Sequence, residues 1–428
     1  MVKHSDNNTI TVYEYDTICT EGRCNGYIEP DRLKILQDFS GNDGVPYFKL
    51  INKGVRFCQY VGVLQVGRLT IEVLPKIDRG TENDKDEWRK ILIDMLRKVG
   101  TFEVSLSSET DLKIKRNSIL DIYIESFLVQ VEKLVHQGLI KKYRKVEDNC
   151  NALKGKIVFA KHLSKNIIHK ERFFVKYTVY DHFHVLNQLL FKTLLLIRQI
   201  NTNQILSSKV NSLLLNFPEL PDIKVSESVF DNIVYNRKSE SYKQAMLISR
   251  LLLLNYHPDI NKGKNHVLAL MFDMNLLWER FVYVSLHKFF KGGTVEQQLS
   301  KPYWKLDGTR AITLRPDVIL IKDKIKYVLD TKWKLPNNDK PSPGDLQQMY
   351  AYTKYFESDH TVLCFPGASD NFLNGRFFNE KQINKVYPCS VLRISFNPAD
   401  KITAWQEKIT TRIDEHLTNQ PQHQLQSL

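Results

Sequence analysis

The chain has 428 residues, with 61 basic and 48 acidic side chains, a formal net charge of +13 and a pI of about 9.2. An apolar content of 42% excludes a largely disordered chain, and the length is sufficient for two or three domains. The positive charge favours a polyanionic partner such as a nucleic acid.

The first segment, 1–85, alternates apolar and polar residues in the way typical of β-strands. Gly- and Asp-rich turns separate four such runs, which are TITVYEY, YFKLINK, VRFCQYVGVLQVG and LTIEVLPKI. We therefore predict a β-rich domain, and because exposed hairpin tips often carry binding residues, the turns at 21–25 and 41–45 are candidates for contact with a partner.

The middle segment, 86–264, is predicted to be mixed and mostly helical. One helix should end at Gly100 and the next should break at Gly138, since glycine commonly ends helices. Two long helices are predicted over 185–200 and 241–255, and a strand pair over about 150–170, around LKGKIVFAKHL. His182 and His184 precede the first of these long helices, and packed or capping histidines are expected there rather than metal ligands.

The most informative stretch is LRPDVILIKDKIKYVLDTKWK, at 314–334. Two apolar, β-branched runs flank the polar turn KDK, which predicts an antiparallel hairpin with Asp317 and Asp330 at its open end. Because side chains alternate along a strand, Lys332 should point to the same face as Asp330. Two carboxylates and one ammonium group would then surround a single point.

Hard oxygen ligands hold Mg²⁺, which stabilises charge on phosphoryl oxygens, and a nearby ammonium group can orient the attacking water. Pro-Asp followed by Asp-x-Lys is the PD-(D/E)xK signature of metal-dependent nucleases. The alternative is a solvated hairpin end with a surface ion pair, because ordinary composition often supplies this pattern.

Elements on both sides of the hairpin support the nuclease interpretation. Upstream, a predicted helix places Glu279 among apolar neighbours, where a metal site or an ion pair with a basic residue would satisfy it. Downstream, Ser342 and the residues after it signal the start of a helix that carries Gln348 and Tyr352 on one face. Tyr352 alternatively lines the helix–sheet contact. The order helix, strand, strand, strand, helix, strand is the core order of the PD-(D/E)xK superfamily.

At this point the chain resembles the McrC-type nuclease subunits of McrBC modification-dependent restriction systems. Besides the nuclease core, the resemblance rests on YVGVLQVGRLTIEVLPKID, NALKGKIVFAKHLSKN and RFFVKYTVYDHFHVLNQLLFKTLL. It implies an α/β (α+β overall) protein that cleaves double-stranded DNA together with a separate ring-forming AAA+ GTPase. The partner would recognise the modified DNA and translocate it, and cleavage would follow the meeting of two complexes.

In this interpretation Asp317 and Asp330 ligate Mg²⁺, the Thr331 carbonyl adds a ligand, Glu279 acts through a metal-bound water and Lys332 positions the nucleophile. The residues predicted to contact substrate are Gln348, Tyr352 and Arg315. The predicted domains are 1–85 for partner binding, 86–264 as the middle region, 265–418 as the nuclease and 419–428 as a disordered tail. A fragment beginning near 265 is expected to fold.

Two alternatives remain open: a non-catalytic adaptor that stimulates the partner NTPase, and a stand-alone repair exonuclease. The six cysteines contain no C-x-x-C pair, so neither a zinc site nor a disulfide framework is predicted. No phosphate-binding G-x-x-x-x-G-K-[ST] loop is present, which assigns nucleotide hydrolysis to the partner. The apolar stretches are too short to span a bilayer, which predicts a cytoplasmic protein without a membrane segment.

Overall fold

The structure, a computed structural model, describes residues 9–41, 43–76, 85–99, 119–257, 266–297, 299–334, 340–367, 369–378, 387–397 and 400–418. The chain forms two compact units. Unit 1 combines Met1–Glu103 with Met271–Leu428, and unit 2 is Val104–Leu270.

The N-terminal part of unit 1 is rich in short strands. Its elements are β1 (Thr9–Tyr13), β2 (Thr17–Cys19), β3 (Gly26–Tyr27), α1 (Pro30–Ser40), β4 (Phe48–Ile51), β5 (Gly54–Phe57), β6 (Tyr60–Val66), β7 (Leu69–Leu74) and α2 (Lys85–Lys98). Strand β7 pairs in parallel with β1 and antiparallel with β6, while β3, β2, β5 and β4 form a second sheet in that order. Helix α1 was not predicted, although Pro30 opens it and Leu33 and Leu36 bury its apolar face.

The expectation that the cysteines form no disulfide framework does not hold for one pair. Cys19, at the end of β2, forms a disulfide with Cys24 in the turn before β3. The two residues are five positions apart, and a tight turn brings their Cα atoms to 6.0 Å, within the range that a disulfide spans. The spacing of the cysteines in the sequence does not reveal such a pair, because the distance between them depends on the conformation of the turn.

Unit 2 is mostly helical. Its elements are α3 (Ile119–Gln137), β8 (Lys142–Cys150), β9 (Lys156–Ile157), α4 (Phe159–Asn166), β10 (Phe173–Asp181), α5 (Val185–Ile200), α6 (Gln204–Asn216), α7 (Glu227–Asp231), α8 (Lys243–Leu254) and β11 (Tyr256–His257). Strand β10 pairs antiparallel with both β8 and β9. The two predicted long helices are confirmed as α5 and α8, and Gly138 ends α3 with a positive φ of 88°.

Three other predictions concern the strand pair, the histidine before α5 and the helix end at Gly100. The strand pair predicted over about 150–170 is only partly right, because Lys156–Ile157 pairs with β10 as a strand while Phe159–Asn166 is helical. His184 caps α5, accepting a hydrogen bond from Leu186 N at 3.2 Å, as the capping alternative predicted. The predicted helix end at Gly100 lies outside the described residues.

The C-terminal part of unit 1 contains the hairpin singled out from sequence. The chain enters this part of unit 1 through strand β12 (Val267–Asp273). The remaining elements are α9 (Met274–Phe289), β13 (Gly293–Gln297), β14 (Lys301–Trp304), β15 (Ile312–Leu314), β16 (Val318–Lys322), β17 (Ile325–Thr331), α10 (Pro343–Tyr355), β18 (His360–Gly367), β19 (Asn371–Phe377), β20 (Tyr387–Ser395) and α11 (Ile402–Thr418).

Six of these strands form a mixed sheet in the order β13-β16-β17-β18-β20-β19. Strands β17, β18 and β20 run parallel, and the other neighbours are antiparallel. Helix α10 packs on this sheet through Met349, Tyr352 and Phe356, which contact Val328 and Leu363 within one buried cluster. The predicted mixed α/β class is therefore confirmed.

The predicted first and third domains lie together in unit 1, and unit 2 overlaps the predicted middle region. Within unit 1, Trp88 of α2 lies against Phe396, with ring centroids 6.2 Å apart. The functional roles assigned to these segments remain predictions, and the tail 419–428 lies outside the described residues. None of the described helices is long and apolar enough to cross a membrane.

Candidate active site

A two-residue turn sets the register of the β16–β17 hairpin. Asp323 and Lys324 both adopt positive φ values, 52° and 65°, the conformation that a tight type I′ turn requires. The register runs from Lys322 opposite Ile325 to Val318 opposite Leu329. One further step brings Asp317 opposite Asp330, so the structure brings these carboxylates together at the open end of the hairpin.

Each carboxylate has a distinct set of contacts. Oδ2 of Asp317 accepts hydrogen bonds from Thr331 N at 2.6 Å and from Thr331 Oγ1 at 2.7 Å. Asp330 is only 1% exposed, and its Oδ2 lies 2.8 Å from Lys332 Nζ. No described residue donates a hydrogen bond of good geometry to that oxygen. A buried carboxylate oxygen with a single cationic neighbour retains capacity for another cation.

This burial shifts the pKa values of the groups at the site. Burial raises the pKa of Asp330, and the neighbouring Asp317 carboxylate raises it further, while Lys332 opposes both effects. Burial also raises the pKa of Asp317, against the hydrogen bonds from Thr331. Burial alone would lower the pKa of Lys332, but the Asp330 carboxylate raises it overall, so Lys332 is an ammonium group at neutral pH.

A chain of hydrogen bonds connects Lys332 to helix α10 and back to the hairpin. Lys332 Nζ donates to Gln348 Oε1 at 3.1 Å, and Gln348 Nε2 donates to Tyr352 Oη at 2.8 Å. Tyr352 Oη in turn donates to the Arg315 carbonyl at 3.0 Å. The structure therefore joins Gln348, Tyr352 and the Arg315 main chain to the carboxylates, while the Arg315 side chain is exposed.

The position of helix α10 follows from its N-terminus. Ser342 and Asp345 form the capping box, in which each side chain bonds to the backbone of the other. Asp345 also pairs with Lys334 at 2.7 Å, two residues beyond Lys332. The same carboxylate therefore begins the helix and holds its first turn beside the end of the β16–β17 hairpin.

Glu279 occupies a different position from the carboxylate pair. It lies half-buried on α9, and its negative charge contributes, after burial, Asp330 and Asp317, to raising the pKa of Tyr352. Among the described residues, however, no three His, Cys, Asp or Glu side chains form a metal-binding group. Glu279 is thus near the site without completing a three-carboxylate cluster, and its predicted role stays a prediction.

The site's chemistry fits Mg²⁺. Asp317 and Asp330 supply hard oxygen donors, burial disfavours the charge on both, and one oxygen of Asp330 lacks a well-aligned donor. Mg²⁺ commonly uses one or two protein carboxylates and completes its octahedron with water and substrate phosphates. A pair of carboxylates is therefore a sufficient protein contribution.

One contact near the site was not visible in the sequence. Trp333 follows Lys332, and its indole Nε1 donates to Glu14 Oε1 at 2.7 Å. Glu14 also accepts from Lys76 N at 2.9 Å, and burial raises its pKa to about 7. The Trp333 ring also packs against Trp278 of α9, with ring centroids 5.6 Å apart. The N-terminal segment thus helps to hold the residue next to Lys332, although 319 positions separate the partners.

Comparisons with known proteins identify the family. The model of the McrBC 5-methylcytosine restriction system component family matches residues 55–366. The chain belongs to this family. The resemblance to McrC-type subunits is therefore confirmed, and the matched range contains all of the predicted site residues. Glu14 lies outside it.

Two solved structures have chains similar to this one. The first is described as "Refined half-complex from tetradecameric assembly of Thermococcus gammatolerans McrB AAA+ hexamers with bound McrC". Its matched chain is 18% identical, with a TM-score of 0.69 over 95% of this chain and 100% of that chain. The second, "Cryo-EM structure of the Thermococcus gammatolerans McrBC complex", has 19% identity and a TM-score of 0.48 over 65% of this chain and 87% of that chain. The first likeness shows a shared fold. No curated protein matches the chain.

Proposed function

We propose that this McrBC family member is a Mg²⁺-dependent endonuclease of the PD-(D/E)xK type. Its substrate is double-stranded DNA, which it cleaves when assembled with a ring-forming AAA+ GTPase. The observation that carries the proposal is the pair Asp317 and Asp330 at the end of one hairpin, with Lys332 held beside them.

The chain's own residues have separate tasks in this proposal. Asp317 and Asp330, with the Thr331 carbonyl, would hold Mg²⁺, which supplies stabilisation of the negative charge on the scissile phosphate. Lys332 Nζ, fixed by Asp330 and Gln348, orients the attacking water. Because the Asp330 carboxylate keeps Lys332 protonated against the effect of burial, Lys332 acts through its charge and its hydrogen bonds rather than as a base.

The partner assignment rests on other support. The first solved structure is described as McrB AAA+ hexamers with bound McrC, and its fold matches this chain over 95% of its length. The sequence lacks a phosphate-binding loop of its own. The net charge of +13 suits a DNA substrate, and meeting of two complexes would restrain indiscriminate cleavage.

The test is Asp330→Asn, assayed with the GTPase partner and methylated double-stranded DNA. Loss of one carboxylate ligand should lower the cleavage rate by more than about 100-fold. Stimulation of GTP hydrolysis should persist, because Asp330 is buried within unit 1 and away from its surface. Asp359→Asn is the matched control, since Asp359 caps the opposite end of β17 by accepting from Lys326 N at 2.8 Å. It should leave cleavage unchanged.

A second readout does not depend on activity. Titrating Mg²⁺ into the wild-type chain should raise its melting temperature, because a ligand that binds only the folded state stabilises it. The increase should disappear in Asp330→Asn and remain in Asp359→Asn. Wild-type cleavage rates in Asp330→Asn would disprove the site assignment. A wild-type complex that hydrolyses GTP but never cuts DNA would favour the non-catalytic adaptor.

A further inference from the structure

A small hairpin interrupts the nuclease sheet immediately before the candidate active site. The chain leaves β13, forms the two-stranded β14–β15 sheet, and returns through Arg315 to Asp317. In this hairpin Lys301 pairs with Leu314 and Trp304 pairs with Ile312, with an irregularity after Pro302. We call residues 301–315 the aromatic hairpin.

The aromatic hairpin exposes apolar side chains that a folded chain normally buries. Trp304 is 53% exposed, and its cross-strand neighbour Ile312 and the turn residue Leu306 are each 57% exposed. The other four tryptophans of the chain, Trp88, Trp278, Trp333 and Trp405, are at most 3% exposed. Three exposed apolar side chains on one small hairpin favour a binding surface.

The base of the hairpin is anchored on the helix that completes the active site. Lys301 Nζ donates to the Tyr355 carbonyl at 2.9 Å, and the rings of Tyr303 and Tyr355 lie edge to face at 5.0 Å. The other strand, β15, is followed directly by Arg315, whose carbonyl accepts a hydrogen bond from Tyr352 Oη. The hairpin is therefore held at both strands by α10, while its tip is left exposed.

The charge around the exposed tip selects its partner. Lys305, Arg310 and Arg315 are exposed, and none of them forms an ion pair with any described residue, whereas Asp307 is the single acid of the hairpin. Basic side chains interleaved with an exposed aromatic ring match a nucleic-acid strand, where phosphates meet the cations and a base stacks on the ring. A protein partner would not need this excess of positive charge.

We propose that the aromatic hairpin binds the DNA strand beside the scissile phosphate. In this arrangement Trp304 stacks on an unpaired base, and Lys305 and Arg310 contact phosphates. Ile312 is five residues from Asp317, so the two lie at most about 17 Å apart along the chain. That span corresponds to about five nucleotides of one strand. The inference rests on the proposed function for its substrate class, and it adds a preference for DNA with unpaired bases near the cut.

Trp304 supplies a direct readout, because it is the only tryptophan among the five with more than 3% exposure. Acrylamide quenching of the full chain should detect one accessible tryptophan, which Trp304→Phe removes. Adding a DNA duplex with a five-nucleotide single-stranded tail, in EDTA to prevent hydrolysis, should protect Trp304 from quenching. A blunt duplex of equal length should protect it less.

Binding affinities give the second measurement. Trp304→Ala should weaken binding of the tailed duplex by about 5- to 150-fold, the range measured for removing one stacking aromatic side chain. Arg310→Ala should lower the slope of log affinity against log salt by about 1, as expected for one lost phosphate contact. Phe378→Ala removes an aromatic side chain that is 86% exposed, and Lys324→Ala removes a charge at the opposite end of the β16–β17 hairpin. Both controls should bind normally.

The outcomes separate this inference from the nuclease proposal. If Trp304 is protected and its variant loses affinity, but no Mg²⁺-dependent cleavage occurs, the hairpin inference stands and the nuclease proposal fails. If DNA is cut while Trp304 stays accessible and Trp304→Ala binds normally, the hairpin inference alone is wrong. Protection without DNA, on raising the protein concentration or adding the GTPase ring, would assign the surface to a second copy or to the ring and overturn the inference.

Discussion

Glu14 is a buried carboxylate whose ionisation should work against folding. It is 3% exposed, and burial raises its pKa from 4.5 to about 7, although hydrogen bonds from Lys76 N and Trp333 Nε1 oppose this. Its second oxygen, Oε2, has no hydrogen-bond partner among the described residues. The folded protein therefore binds a proton between pH 4.5 and 7 that the unfolded chain has already released.

The size of the effect on the free energy of unfolding follows from the shift in the Glu14 pKa. Because the folded state has the higher pKa, this contribution to stability is largest below pH 4.5 and is lost as pH rises to 7. A shift of about 2.5 pKa units corresponds to about 3 kcal/mol of unfolding free energy. Glu14→Gln keeps an acceptor oxygen for Lys76 and Trp333 but cannot ionise, so it mimics the protonated carboxyl.

The assay compares the melting temperatures of wild type and Glu14→Gln at pH 4.5, 6, 7 and 8. The variant should gain about 3 kcal/mol relative to wild type between pH 4.5 and 8, which is about 6–12 °C for a unit of this size. Glu21→Gln, at an exposed glutamate of the same segment paired with Lys53, is the control and should run parallel to wild type. Parallel curves for Glu14→Gln would refute the reasoning, because they would show that Glu14 does not change its proton affinity on folding.

Two further outcomes follow from other buried groups. His360 and His416 face each other with ring centroids 5.4 Å apart, and burial lowers their pKa values to about 3 and about 4. Since both folded values are depressed, the stability they contribute is present above pH 6.5 and is lost as pH falls towards 4, so His416→Leu should flatten the acid side of a melting-temperature profile. Thr331→Val removes one of two donors to Asp317 and should lower cleavage by about 10- to 100-fold, as loss of a residue supporting a metal ligand typically does. Thr331→Ser should retain cleavage, and equal rates for the two variants would mean that the hydroxyl does not orient Asp317.

The parts of the candidate site whose placement follows from the sequence are encoded locally. A polar turn and two apolar runs predict that Asp317 and Asp330 share the open end of the hairpin. The observed two-residue turn then places them opposite each other, because strand register follows directly from turn length. The start of α10 was equally visible, since Ser342 and Asp345 satisfy each other's backbone groups within one turn. From that start, helical periodicity is enough to bring Gln348 and Tyr352 to one face.

The parts that sequence did not reveal depend on tertiary packing. The β14–β15 hairpin was missed because Pro302 and an irregular register break the alternation that predicts strands. The apolar residues around Phe159 predict a strand, but Phe159–Asn166 forms a helix, as happens where tertiary context overrides local propensity. Burial of Glu14 is invisible to any local pattern, because the Trp333 indole that binds it is 319 positions away.

The Glu14–Trp333 contact also affects whether the C-terminal segment can be separated from the N-terminal segment. A fragment beginning near residue 265, the predicted nuclease domain, would lack Glu14, so the indole N–H of Trp333 would be left without its acceptor. It would also lack Trp88, and with it the aromatic contact to Phe396. A buried donor without a partner costs about 1–3 kcal/mol, and the residue affected adjoins Lys332. The N-terminal segment is therefore part of the framework that supports the candidate site, whatever its role in partner binding. Substitutions in the full chain, rather than truncation, are the sound way to separate the two roles.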